Sequence, residues 1–164
     1  MSGGMQALAD ATVGALSPRP HARVSVEDAL WKVVGEMKTK GRGAVLVEDD
    51  GALVGIFTER DLLNRVDYSD ALWSHVVVRD VMTPHPMVIR ADDSLSEAMR
   101  RLTQGHRRHL PIVDDADEVH GVLTVWDVMR HLEAIFEEID ATPRPTPPSG
   151  DTSSVLAMFD LGGG

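Results

Sequence analysis

Apolar residues recur along this chain with two alternating periods. Val26, Ala29, Leu30, Val33, Val34 and Met37 fall at i, i+3, i+4, i+7, i+8 and i+11, which is one face of an α-helix. Ser25 and Asp28 stand where an N-cap and its third helical residue belong, and Gly41 and Gly43 end the pattern. Ala44-Val45-Leu46-Val47 follows as an apolar run of strand length, Asp49-Asp50-Gly51 as a turn, and Leu53-Val54-Gly55-Ile56-Phe57 as a second strand. Thr58 opens a short helix that reaches about Val66. The order then returns. Val88-Ile89 reads as a short strand, and Leu95, Ala98, Met99 and Leu102 as a helix capped by Ser94 and Glu97. Leu110-Pro111-Ile112-Val113 is a strand, Asp114-Asp115 a turn, Val119 to Leu123 a strand, and Thr124 to about Ile139 a last helix. Each copy predicts β-α-β-β-α, an α/β (α+β) arrangement with its helices packed on a small sheet.

The repetition is literal as well as periodic. Gly55-Ile56-Phe57-Thr58-Glu59-Arg60-Asp61 reappears 66 positions later as Gly121-Val122-Leu123-Thr124-Val125-Trp126-Asp127. Leu16-Ser17-Pro18-Arg19-Pro20 precedes Met82-Thr83-Pro84-His85-Pro86 by the same interval. A unit of that size is too small to fold well alone, so two copies are expected to share a core and to be related by pseudo-twofold symmetry. The chain divides into an extension (1–14), a first repeat (15–67), a connector (68–79), a second repeat (80–140) and a tail (141–164). In the connector, Tyr68, Leu72 and Trp73 read as packing residues. The tail is rich in proline, which points to an extended, disordered segment, and ends in the apolar stretch Val155 to Leu161.

Composition narrows the function. Hydrophobic residues make up 43% of the chain, with only three Trp, three Phe and one Tyr, so the core is expected to be aliphatic. Twenty-six acidic against 16 basic residues give a net charge of −10, which argues against a nucleic-acid partner, because phosphate backbones call for clustered Lys and Arg. Cysteine is absent, which removes thiol chemistry and cysteine-ligated metals. No secretory or membrane-spanning pattern is present, so no membrane partner is expected and the location expected is cytoplasmic. Histidines at positions 21, 75, 85, 106, 109, 120 and 131 form no recognisable ligand spacing, so no metal is expected. No activated nucleophile or separated carboxylate pair is indicated, and the chain is read as non-enzymatic.

The duplicated Thr-x-x-Asp turn carries the candidate chemistry. Thr at an N-cap and Asp three residues on form a capping box, which is a sufficient structural reason for both. A carboxylate there also has the valence to accept both hydrogens of a ribose diol, while hydroxyl, amides and nearby cations meet a phosphate. Gly105-His106-Arg107-Arg108-His109 supplies cations before the strand at Leu110; the first copy offers only Lys40-Gly41-Arg42-Gly43.

These motifs together resemble a tandem pair of cystathionine-β-synthase (CBS) domains, a Bateman module. The resemblance runs from about Ala15 to Ile139 and rests on the Gly-h-x-Thr-x-x-Asp ending (h, hydrophobic) in both copies, Arg108-His109-Leu110-Pro111-Ile112-Val113-Asp114 in the second, and Val81-Met82-Thr83-Pro84 before it. It implies an adenine nucleotide or related adenosyl compound in the cleft between copies, as a regulatory ligand rather than a cofactor. It further implies Asp61 and Asp127 for ribose, Thr58 and Thr124 for phosphate, and Arg107, Arg108 and His109 as cationic partners. Thr83 and Val88 would sit near a base, with Ser17 and Val24 as their first-copy equivalents. Gly43-Ala44-Val45 replaces His109-Leu110-Pro111 in the first copy, which weakens phosphate handling there. The resemblance also implies a flat homodimer joined through the helices beginning at Thr58 and Thr124, for which Leu62, Val66, Val128, Leu132, Ile135 and Ile139 offer apolar surface. The function expected is ligand sensing read by a regulated protein partner. A ligand-independent interaction scaffold is the alternative, and AMP, ADP, ATP, NAD(H) and S-adenosylmethionine are not distinguished.

Overall fold

A computed structural model describes residues 6, 10–16, 18, 20–105 and 107–141. In the first half, β1 (Arg23–Ser25) leads to α1 (Leu30–Lys40), then β2 (Ala44–Asp49), β3 (Ala52–Thr58) and α2 (Glu59–Arg65). In the second, β5 (Ile89–Arg90) leads to α3 (Leu95–Thr103), β6 (His109–Val113), β7 (Val119–Thr124) and α4 (Val125–Ala141). In both sheets the first strand lies parallel to the second and the second antiparallel to the third. The predicted β-α-β-β-α order is therefore present twice. A further strand that the periodicity did not show, β4 (Thr83–Pro84), adds to the first sheet against β3. It brings the linker of the second repeat to the edge of the first.

Local chemistry explains the turns. Asp50 and Gly51, both at positive φ (47° and 83°), close the first hairpin in the conformation that matches strand twist and suits Asp-Gly. The second hairpin is one residue longer between the equivalent pairs Val47–Gly55 and Ile112–Gly121. It is braced by Asp114 Oδ1, which accepts from the amides of Ala116 and Glu118 at 2.9 Å. Gly41, at φ 59°, ends α1.

The start of α1 differs from the sequence reading. Ser25 and Asp28 close a separate turn, with the Ser25 amide donating to Asp28 Oδ2 at 2.9 Å, and the helix begins at Leu30 behind an Ala29 N-cap that makes no side-chain bond. Ala29 instead bridges to Val77, and the Leu30 amide donates to the Val76 carbonyl at 2.9 Å, so a tertiary strand contact supplies the cap. Ser94 does cap α3, accepting from the Glu97 amide at 3.2 Å, but the Glu97 carboxylate turns to Arg100 and Arg101, which hold it down at about 2.

These details repeat across the halves and show an exchange. Val78 donates to the Asp28 carbonyl, and Val13 to the Asp93 carbonyl, each at 2.9 Å. Leu30 donates to Val76, and Leu95 to Ala11. The segment before each repeat is thus built onto the other repeat. Ala11, Val13 and Leu16 lie in one core with Ile89, Leu95, Leu110 and Leu123, and Val78, Val81 and Met82 in the other with Leu30, Val45 and Phe57. A third cluster, Leu46 with Val113, Val119 and Val122, joins the two sheets. The core is aliphatic apart from Phe57. Of the connector residues, Trp73 packs on the first core, Tyr68 packs its ring on Trp73 at 5.3 Å and donates to the Leu62 carbonyl at 2.6 Å, and Leu72 is exposed.

Candidate functional site

Two clefts lie between the halves, with volumes of about 380 and 390 Å³. The first holds Thr58, Asp61 and Thr83, and Arg107, Arg108 and His109 reach it from the second half. The second holds Thr124 and Asp127 with His21, Arg42, Arg108, His109 and Arg130. The exchange of linkers and the facing sheets put groups from both repeats into each cleft.

Each cleft is floored by a complete capping box. Thr58 N and Oγ1 donate to Asp61 Oδ2 at 2.9 and 2.7 Å, and Asp61 N donates back to Thr58 Oγ1 at 3.2 Å. At Thr124 and Asp127 the corresponding distances are 2.9, 2.6 and 3.3 Å. Both aspartates are buried, at 6% and 5% exposure, so one carboxylate oxygen of each is committed to its helix. The threonine hydroxyl protons are committed too, which leaves phosphate contacts to the arginines.

The free oxygens differ. Asp61 Oδ1 accepts from Thr83 Oγ1 at 3.0 Å and meets Arg65 Nε at 3.3 Å. Arg65 also donates to the Met82 carbonyl, tying α2 to the linker. Asp127 Oδ1 has only Arg130 Nη1, at 3.4 Å, among the described residues. A diol would displace one weak contact at Asp127 and two contacts at Asp61.

His109 is not a cation at neutral pH. Burial, followed by His21 and Arg108, pushes its imidazole down to about 4, against a smaller opposing pull from Asp127. Its ring meets His21 edge-on at 6.3 Å. The sequence reading of His109 as a cationic partner is corrected accordingly: it offers a neutral ring with one donor and one acceptor. Arg107 and Arg108 are exposed; Arg107 donates to the Gln104 carbonyl, and Arg108 has no ion-pair partner among the described residues.

Of the base-pocket residues, Thr83 lines the first cleft beside Asp61, whereas Val24 and Val88 do not join it. Val24 is buried in the first core, while Val88 packs beside the cluster that joins the sheets, and neither lines a cleft. The strand register also makes Ile89 the counterpart of Val24, since Val24 pairs Val47 as Ile89 pairs Ile112. Ser17 lies outside the described residues, as do His106 and the tail from residue 142. The cleft residues that sequence reasoning missed are Glu59, Arg65, Arg130, His21 and Met87, while Arg42 belongs to the basic segment expected of the first copy. Arg65 and Arg130 carried a signal, because they stand one helical turn after the motif aspartates.

The helix faces differ as well. Val66, Val128 and Ile135 are buried, and Leu62 and Leu132 pack on the cores, so of the six positions assigned to a dimer only Ile139 is exposed. The row at 128, 132 and 135 is drawn inward to cover the sheets. Leu63, Trp126, Met129 and Phe136, with Ile139, form the outward apolar surface. No helix among the described residues is long and apolar enough to cross a membrane, and those residues contain no metal-ligating cluster.

Comparison with known proteins agrees with this architecture. The chain is 38% identical over 117 residues to the meiotically up-regulated gene 70 protein of Schizosaccharomyces pombe, a match over 70% of this chain but 16% of that protein. It is 30% identical to CBSX2 of Arabidopsis thaliana, solved in complex with AMP, with a TM-score of 0.65 over 76% of this chain and 97% of that one. A CBS-domain-containing protein of Agrobacterium tumefaciens superposes with a TM-score of 0.68 at 27% identity, over 74% of this chain and 98% of that one. The family model for the CBS domain matches twice, at residues 13–68 and 78–134. With two such matches, the repeated fold and the paired clefts, the chain belongs to the CBS domain family and folds as a CBS pair, or Bateman module.

Proposed function

We propose that this chain is a regulatory sensor that binds an adenosyl ligand of the AMP type between its repeats and transmits the bound state to a protein partner. The observation that carries this reading is the pairing, in one cleft, of a buried aspartate with arginines from the opposite half, which suits a ribose phosphate. The AMP complex of CBSX2 supports the same ligand class. A ligand that prefers one spacing of the halves shifts their equilibrium by its differential affinity, and that shift is the signal. The exposed apolar row of α2 and α4 supports a homodimer as the working form, with Trp126 and Phe136 as anchors.

Thermal unfolding with AMP, ADP, ATP, NAD(H) and S-adenosylmethionine tests the proposal. At a hundred times the dissociation constant, a ligand adds about 2.7 kcal/mol to stability. Asp61→Ala should remove most of that gain for a phosphate-bearing ligand, whereas Asp127→Ala, in the other cleft, should cost about 1 kcal/mol of cap stability by itself. Asp61→Ala should cost more without ligand, because it also releases Thr83 and Arg65. A ligand gain that survives both substitutions would overturn the ribose assignment. The capping boxes favour one other reading, a ligand-independent interaction scaffold, since they account for Thr58, Asp61, Thr124 and Asp127 structurally. It predicts the same cap losses and no ligand effect on wild type.

A further inference from the structure

The two clefts share a wall. Gly43, Glu59, Arg108 and His109 line both. The remaining cations are divided: Arg60, Arg65 and Arg107 line the Thr58 cleft, Arg42 and Arg130 the Thr124 cleft. Arg65 and Arg130 contact the motif aspartates. The Thr58 cleft thus has three arginines of its own against two in the Thr124 cleft, with Arg108 common to both.

Glu59 opposes them from the same shared position. It is the first residue of α2, its amide donates to the Gly43 carbonyl at 3.0 Å, and its side chain is exposed. A Cβ on Gly43 would stand 3.2 Å from the Glu59 carboxylate, so glycine at 43 leaves the room that lets this carboxylate lie where the clefts meet. Apart from Asp61 and Asp127, it is the only carboxylate lining either cleft among the described residues. A guanidinium fork that grips one phosphate is no longer available to a second. A carboxylate beside both sites repels whichever dianion arrives without Arg108 to neutralise it.

We propose that the clefts compete for Arg108 and that Glu59 enforces the competition. The chain takes one phosphate-bearing adenosyl ligand at a time, in the Thr58 cleft, and leaves the Thr124 cleft to an adenosyl compound without phosphate. This rests on the reading that the clefts hold adenosyl ligands. Glu59 is then the residue that sets ligand charge, and by linkage each phosphorylated ligand weakens the other by the same factor.

Calorimetry on the full chain with AMP and with adenosine tests this. Wild type should bind one AMP, then adenosine on the AMP-saturated protein, with a second AMP at least tenfold weaker than the first. Glu59→Gln should tighten the second AMP at least fivefold. Arg107→Ala should weaken the first AMP. Equal binding of two AMP molecules to wild type, or an unchanged ratio in Glu59→Gln at unchanged melting temperature, would overturn the competition while leaving the adenosyl reading standing. Binding of neither AMP nor adenosine would overturn both.

Discussion

A chain lacking residues 1–16 should melt about 10 to 20 °C lower than the whole, with the loss concentrated in the second repeat. Val13 is fully buried, and Leu16 and Ala11 nearly so, against Ile89, Leu95 and Leu110. Burying one Val or Leu side chain is worth about 1.5 to 3 kcal/mol, so removing the segment costs on the order of 5 kcal/mol before its backbone bonds are counted. Those bonds include Val13 to Asp93, Gly14 to Ala91 and Leu95 to Ala11, the last of which caps α3. A domain of this size is stable by about 5 to 15 kcal/mol, so the deletion approaches the whole margin. Hydrogen exchange locates the damage: amides of β6 and β7 should lose protection before those of β2 and β3. Val13→Ala alone should cost about 2 kcal/mol. Protection lost first in the first repeat, or a melting point within about 2 °C of wild type, would show that the segment is not part of the second core.

That prediction concerns what the sequence hid. Periodicity shows the order of elements within a copy, because a helix face and a strand run each leave a local signature, and it placed α2, β6 and β7 to within a residue or two of the structure. It is silent on which copy a flanking segment joins. Residues 11–14 read as an extension, and 15–16 as the start of the first repeat, because their partners in the second half, among them Asp93 and Leu95, are remote in the chain. The start of α1 was misplaced for a related reason: the turn closed by Ser25 and Asp28 has the same residue types as a cap, and only the bridge from Ala29 to Val77 separates the two. Arg90 and Asp93 close the same turn in the second half, a repetition visible in the sequence once the turn is known.

The candidate site was legible where chemistry is local. Thr58 with Asp61 and Thr124 with Asp127 stand in their clefts because the capping box that orients them spans only four residues. Thr83 meets Asp61 through β4, a two-residue strand too short for any pattern to announce. Val24 and Val88 differ in register by a residue, and along a strand one residue is the difference between faces. The helix surfaces follow the same logic. Val128 and Trp126 are both apolar, and only the position of the sheet beneath α4 decides that the first is buried and the second exposed.

Charge at His109 was the least legible property, since a histidine beside two arginines in sequence gives no sign of burial, and it sets the second large expectation. Lowering the pH from 7 to 5 should cost about 2 kcal/mol of stability through this one group. In the unfolded chain His109 takes up a proton near its ordinary 6.5, whereas in the folded protein burial, His21 and Arg108 hold it down to about 4. Between those values the unfolded state binds more protons, so stability falls as pH falls below about 6.5 and levels off below about 4. At neutral pH and above there is nothing to lose. The carboxylates held low, Glu97 by Arg100 and Arg101, Asp114 by His120 and Asp67 by Ser69, lose their contribution only at more acid pH, below the interval in which His109 acts. Urea unfolding at pH 7 and pH 5 on wild type and His109→Gln measures the difference. Glutamine keeps a donor and an acceptor but cannot titrate, so the variant should flatten the slope in that interval even if it is less stable throughout. A slope unchanged by the substitution would mean that His109 is already solvated and charged.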